Sequence, residues 1–206
     1  MRNTSEDEKR NRALLPQLRK VLGGGVTIYA DANSSYSVAE GIAVGKFLKA
    51  HDVAIFEEPC PWEDYEANRR VTAALKKVKV AGGEQDSSVF RFQDIIQNRV
   101  YDVVQPDLYY NGGIVRCYRV AQLVAKAGLG IAPHSPKADP LEAPFLHLAA
   151  VLPNLEGFQE YPARAGKQPA WYTPHILVKD GKLAVLAGIG LGIAYDEAVW
   201  KKAEKV

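Results

Sequence analysis

The amino-acid sequence predicts an α/β fold of parallel strands, arranged as a (β/α) barrel of the TIM type. Three observations predict it. Short β-rich apolar runs alternate with helical patterns along the chain. The runs are continuously apolar, as strands are when both faces of a parallel sheet are covered. Nearly every run ends in a polar or acidic residue, at the strand end where a barrel assembles its active site. An open doubly wound sheet is the competing arrangement, but nothing resembling a glycine-rich nucleotide loop opens a helix after the first run.

Residues 1–25 read as a helix leading into the barrel, with Arg19 and Lys20 in its later part. The barrel part, 26–165, contains the runs Val26–Ala30, Val53–Phe56, Val78–Ala81, Val103–Val104, Gly130–Ala132 and Leu155–Phe158. Between them, Ser37-Val38-Ala39-Glu40 is a capping box, in which the hydroxyl and the glutamate each satisfy a free backbone N–H. Val44, Phe47 and Leu48 follow it at helical spacing. Phe92, Ile95 and Ile96 repeat that spacing after Ser87-Ser88, and Val120, Leu123 and Val124 repeat it after Gly112-Gly113. The tail, 166–206, changes character. Ile176–Leu186 reads as a hairpin around Lys179-Asp180-Gly181-Lys182. Gly188, Gly190 and Gly192 form a flexible glycine-spaced stretch, and Asp196–Lys205 reads as a short charged helix.

Composition narrows the class. The chain has 206 residues, 47% hydrophobic and 24% charged, enough for one sizeable core. A net charge of +2 without a long Lys/Arg run argues against a nucleic-acid partner. Cys60 and Cys117 make neither a disulfide framework nor a zinc set and read as buried, reduced thiols. Charged residues interrupt every apolar stretch before it reaches membrane-spanning length. Met1–Arg12 lacks the apolar core of a signal peptide. The expectation is a cytoplasmic protein with no membrane partner.

The strand ends carry the chemistry. Asp31 follows the first run, Glu57 and Glu58 the second, and Glu84 the third; 26 residues separate Asp31 from Glu57 and 27 separate Glu57 from Glu84. Each interval is about one β/α unit of a barrel. Three acids would therefore stand on neighbouring strands at one height, facing one mouth. Such anions repel and raise one another's pKa unless a cation sits among them. Oxygen ligands alone, with positions left for water and substrate, suit Mg²⁺. Asp107 and His134 end the next two runs, after 23 and 27 residues. An aspartate beside a histidine orients the imidazole and raises its basicity, which makes a general base. Glu160 ends the sixth run, 26 residues further on. Held protonated in a partly dry site, it would hydrogen-bond a substrate carboxylate opposite the metal.

The ordered set Asp-Ala-Asn, Phe-Glu-Glu-Pro, Gly-Gly-Glu, Gln-Pro-Asp followed by Gly-Gly-Ile, Pro-His-Ser and Gln-Glu-Tyr, from Asp31 to Glu160, resembles the mandelate racemase and muconate lactonizing enzyme-like subgroup of the enolase superfamily. The Asp-Gly turn and the Gly-Ile-Gly-Leu-Gly stretch resemble that family's ending, which packs on a separate capping domain. The resemblance implies Asp31, Glu57 and Glu84 as Mg²⁺ ligands, His134 as base oriented by Asp107, and Glu160 facing the developing enolate. It implies Asn33 near metal or substrate. Tyr109, Tyr110, Lys137 and Trp171 are candidates for lining a polar pocket.

The chain departs from the family in length. The resemblance places Asp31 on the third barrel strand, so the first two strands and the capping domain have no counterpart here, and neither has the Lys-x-Lys of the second strand. Arg19-Lys20 lies in the leading helix and does not replace it. The chain is therefore expected to be a piece of a longer protein, and its open sheet edges to favour self-association into homo-oligomers. The first functional expectation is an acid-sugar dehydratase acting on a small carboxylate. The alternatives are a racemase or epimerase of 2-hydroxy acids and a non-catalytic metal-binding fragment.

Overall fold

The computed structural model describes residues 5–135, 137, 140–161 and 169–202. Helix α1 (Ser5–Leu22) leads into a repeating unit: β1 (Ile28–Asp31), α2 (Val38–Ala50), β2 (Val53–Glu57), α3 (Tyr65–Ala74), β3 (Lys79–Gly82), α4 (Val89–Gln97), β4 (Val103–Val104), α5 (Ile114–Lys126), β5 (Gly130–Ile131) and α6 (Ala143–Ala149). The five strands are parallel and lie side by side in chain order. Helices α2, α3 and α4 begin where the sequence supplies side-chain acceptors for free N–H groups. The Ser37–Glu40 capping box opens α2, Asp64 caps α3 and Ser88 caps α4.

The sheet is curled. Three strand intervals in a flat sheet span about 14 Å. Yet Gln105, just beyond β4, donates from Nε2 to the Tyr29 hydroxyl on β1 at 2.8 Å. Lys79 on β3 reaches Glu156, past β5, at 2.6 Å. Side-chain pairs of these lengths close only as chords across a concave face, so the sheet is an arc of a barrel. Its inner layer is Ile55, Ala81, Val103 and Ala132. The neighbouring residues Phe56, Val80, Val104 and Ile131 point outward, into the main core against Val71, Phe92, Ile95, Val120 and Val124. Alternation sends successive residues to opposite faces, and both faces are covered, which accounts for the uninterrupted apolar runs.

Two expected elements differ. Leu155–Phe158 is not a full strand. It is reduced to a single parallel bridge between Ile131 and Leu155, flanked by bonds from Ile131 N to the Asn154 carbonyl and from Glu156 N to the Ile131 carbonyl. Gly157, at φ +62°, turns the backbone out of the extended form directly afterwards. The Ile176–Leu186 hairpin is also reduced to one bridge, Lys179 with Lys182, around Asp180 and Gly181 at positive φ. Its arms expose Leu177, Val178 and Val185, while Ile176, Leu183 and Leu186 pack with Ala143 and Leu146 of α6. The tail instead pairs β6 (Tyr172–Thr173) with β7 (Ala194–Tyr195), antiparallel. Helix α7 (Glu197–Lys201) is shorter than the reading of Asp196–Lys205, whose last residues lie outside those described. Among the described residues, no helix is long and apolar enough to cross a membrane.

Candidate active site

The acids stand at the C-terminal ends of the strands, and the backbone puts them there. Asp31 ends β1 and lies directly opposite Glu57, which ends β2. Glu57 follows the inner residue Ile55 by two and shares its face. Val103, Gln105 and Asp107 continue the inner face past β4, and Ala132 and His134 do so past β5. Asp107 and His134 themselves form a parallel bridge. Glu84 would be out of phase with Ala81, but Gly83 adopts φ +109°, a conformation ordinary side chains rarely take. That turn brings the Glu84 carboxylate inward, 3.1 Å from His134 Nε2.

A dyad forms at one end of the cluster. Asp107 is fully buried, and its Oδ2 lies 2.9 Å from His134 Nδ1. Its other oxygen accepts the Tyr109 and Tyr110 N–H groups at 2.6 and 2.9 Å. Burial opposes ionisation of Asp107, but His134 and these two amides outweigh it and hold its carboxyl below the usual range. Burial likewise opposes the imidazolium, but Asp107, Glu84 and Glu160 outweigh it and raise the His134 pKa. With Nδ1 tied to Asp107, Nε2 is the nitrogen presented to the mouth. The Glu160 carboxylate lies 3.8 Å from it and accepts the Ser135 N–H at 3.0 Å. Glu160 is half exposed, at the rim.

The other end is a charge cluster without a cation. Burial, then Asp31 and Glu84, push the Glu57 carboxyl well above the usual range. Burial, then Glu84, push Glu58 up to about 7. Burial and a nearby Glu57 keep the Tyr29 phenol protonated far beyond its ordinary range. Gln105 donates to Glu57 at 2.9 Å. Asn33, at φ 45°, donates both its backbone N–H (2.7 Å) and its side-chain amide to Asp31. It thus contacts a candidate ligand directly. Ser34 donates to Glu58 at 3.2 Å, and the second oxygen of Glu58 is buried with no hydrogen-bond partner.

As the side chains stand, no group of three or more His, Cys, Asp and Glu among the described residues converges into a coordination shell. Asp31 is turned to Asn33, Glu57 to Gln105 and Glu84 to His134. The donor set nevertheless fits a hard divalent cation. It offers buried and partly buried oxygens on adjacent strands, and a raised Glu57 pKa means that a proton supplies the positive charge a cation would bring.

Three contributors went unread in the sequence: Gln105, Tyr29 and Ser34. Period-two alternation through Val103, Gln105 and Asp107 was the available signal for the first. Tyr29 shares its face with Asp31 in the same way. Lys137 lies over the Tyr109 and Tyr110 rings at 5.8 and 5.5 Å, beside the dyad. Trp171 stacks on Tyr195 in the tail and joins a separate aromatic cluster.

An arc of β/α units with acids and an Asp–His dyad at its C-terminal strand ends defines a (β/α)-barrel protein equipped for acid–base chemistry at its mouth. The chain belongs to the enolase superfamily: the family model described as Enolase C-terminal domain-like matches residues 1–199. Similar proteins include an arabinonate dehydratase of Saccharolobus solfataricus, 26% identical over 201 residues, which cover 98% of this chain and 52% of that protein. The L-talarate/galactarate dehydratase of Salmonella typhimurium is 29% identical over 199 residues, covering 95% and 46%. A solved structure of an L-talarate/galactarate dehydratase liganded with Mg and L-glucarate matches with a TM-score of 0.79 at 25% identity, covering 94% and 46%. A Roseobacter denitrificans structure, described only provisionally as a racemase, matches with a TM-score of 0.86 at 32% identity, covering 92% and 53%. The chain spans about half the length of the curated relatives it matches.

Proposed function

We propose that this chain carries the metal and proton-transfer half of an enzyme that removes the proton α to a carboxylate, and that its reaction is dehydration of an acid sugar. The observation that carries this reading is the His134 imidazole, anchored on Asp107 at 2.9 Å, with Nε2 facing the acid cluster. The similarity to sugar-acid dehydratases supports the same reading.

Asp31, Glu57 and Glu84 would hold Mg²⁺. When bound, the ion supplies positive charge beside the substrate carboxylate, where negative charge develops. Gln105, Tyr29 and Asn33 keep the acids aimed by hydrogen bonds. His134 accepts the α-proton at Nε2 while Asp107 stabilises the imidazolium through Nδ1. The electron pair left behind moves into an enediolate, and Glu160 at the rim, in its protonated form, would donate a hydrogen bond to it. Collapse of the enediolate expels the β-hydroxyl, which takes a proton from a general acid and leaves as water.

The test is α-hydrogen exchange into D₂O with a panel of acid sugars and Mg²⁺, followed by an assay for the 2-keto-3-deoxy product. Exchange with product formation is expected, both lost in His134→Asn. Unchanged exchange in that variant removes His134 from the base role. Exchange with inversion and no loss of hydroxyl selects the racemase or epimerase reading, for which the Roseobacter neighbour is the supporting observation. That reading requires a second base on the opposite face of the substrate. Calorimetric titration of Mg²⁺ into the protein and into Glu57→Gln separates the non-catalytic reading: binding without exchange selects it, and no binding by either protein sinks both.

A further inference from the structure

We infer that Glu142 and Ser135 form a positioning unit that holds His134 and Glu160 in register; the inference rests on the roles just proposed for those two residues. Glu142 stands at the start of α6 and is 1% exposed. A carboxylate at a helix start ordinarily accepts the free N–H groups of the first turn. No such bond is made by Glu142. Its carboxylate instead accepts the hydroxyl of Ser135, which is 2% exposed.

Ser135 follows the candidate base directly, and its two polar groups point to two partners. The hydroxyl goes to Glu142, and the backbone N–H goes to the Glu160 carboxylate at 3.0 Å. The backbone N–H of His134 is anchored to the Pro106 carbonyl at 3.3 Å, one residue before Asp107. The peptide carrying the imidazole is thus held from the Asp107 side and from α6. Ser135, Glu142 and Glu160 also line one cavity of about 10 Å³, with Gln159 and Phe145 in its wall. Space of this size admits no more than about one water molecule. A buried carboxylate is retained here although an apolar residue would cost nothing in desolvation. Fixing Ser135, and through it the spacing of base and rim acid, accounts for it.

The experiment uses Glu142→Ala, Glu142→Gln and Ser135→Ala, with the His134 ring followed by ¹⁵N NMR in histidine-labelled protein and assigned through His134→Asn. Glu142→Ala is expected to move the His134 ring resonances and to lower kcat for α-hydrogen exchange by about ten- to a hundredfold, with KM changed little, since a small misplacement of a reacting group is enough for that loss. Glu142→Gln still accepts the Ser135 hydroxyl and is expected to restore both readouts. Ser135→Ala, which leaves the backbone N–H in place, is expected to move the ring as Glu142→Ala does. Folded Glu142→Ala with unchanged ring resonances overturns the inference, as does a Gln variant as damaged as the Ala variant. If Glu142→Ala does not fold, Ser135→Ala decides by the same readout. If the wild-type protein shows no exchange at all, the proposed function fails, and the resonances alone still decide the positioning role.

Discussion

At the scale of single residues, the site is built from groups whose charges are mutually unfavourable until something binds. Burial, then Asp31 and Glu84, raise the Glu57 pKa. Glu57→Gln removes one member of the cluster while keeping an acceptor for Gln105. The unfolding midpoint of Glu57→Gln in chelator is therefore expected to rise, by about 2–4 °C for each kcal/mol of relieved repulsion in a chain of this size. Mg²⁺ should raise the wild-type midpoint and leave the variant unchanged, because binding to the native state alone stabilises it. A variant no more stable than wild type in chelator would show that the acids do not oppose folding. The thiols give a separate prediction. Burial pushes Cys60 and Cys117 up to about 11. Their raised pKa favours the protonated native state, so stability is fully present below the ordinary thiol value of 9.0 and is lost as pH rises from there toward 11. Thiol reagents at pH 8 should label neither cysteine in folded protein and both after denaturation. Asp31, Glu57, Glu84, Asp107 and His134 were legible as candidates because each ends an apolar run. Glu142 was not, because nothing in its local sequence says that its carboxylate leaves the helix start for Ser135.

At the scale of elements, the strands are short and rely on close approach rather than length. Gly82 ends β3 against the Tyr101 ring; a Cβ there would stand 2.6 Å from the ring carbon bearing the hydroxyl. Tyr101 is 1% exposed and cannot step aside. Gly82→Ala is expected to destabilise the protein by about 1–3 kcal/mol through overpacking, read as an earlier midpoint in chemical denaturation with an unchanged slope. A midpoint equal to wild type would mean that the ring has room to move. The helices were readable because capping residues and apolar spacing are local signals. The sixth strand and the tail hairpin read longer in sequence than the single bridges they form, for the converse reason. Leu155–Phe158 has strand-forming side chains, but Gly157 takes a positive φ and the neighbouring sheet edge offers it one bridge only. In the tail, the pairing of Tyr172–Thr173 with Ala194–Tyr195 joins segments about twenty residues apart, and neither segment announces its partner.

At the scale of the whole molecule, the sheet is an arc with an open side. Among the described residues no strand lies beside the outer edge of β1, and an apolar cavity of about 200 Å³ lies there between α1, β1 and α2, lined by Leu14, Leu15, Leu18, Ala30 and Phe47. Amides of β1 that face away from β2 are expected to exchange with solvent much faster than those of β3 and β4, which are paired on both sides. Uniform protection across the five strands would show that the edge is covered, as self-association through it would do. Residue order alone determined the repeating unit, the buried parallel strands and the acids at their ends. These follow from period, capping and the rule that strands covered on both faces are apolar throughout. Only the tertiary structure decided how far the sheet curls, which residues meet across its concave face, and where Glu84 and Glu142 turn. Those depend on chords such as Tyr29 to Gln105 and Lys79 to Glu156, between residues 76 and 77 positions apart, and on backbone turns at single glycines. Distances of that kind are set by packing, which no local stretch of sequence contains.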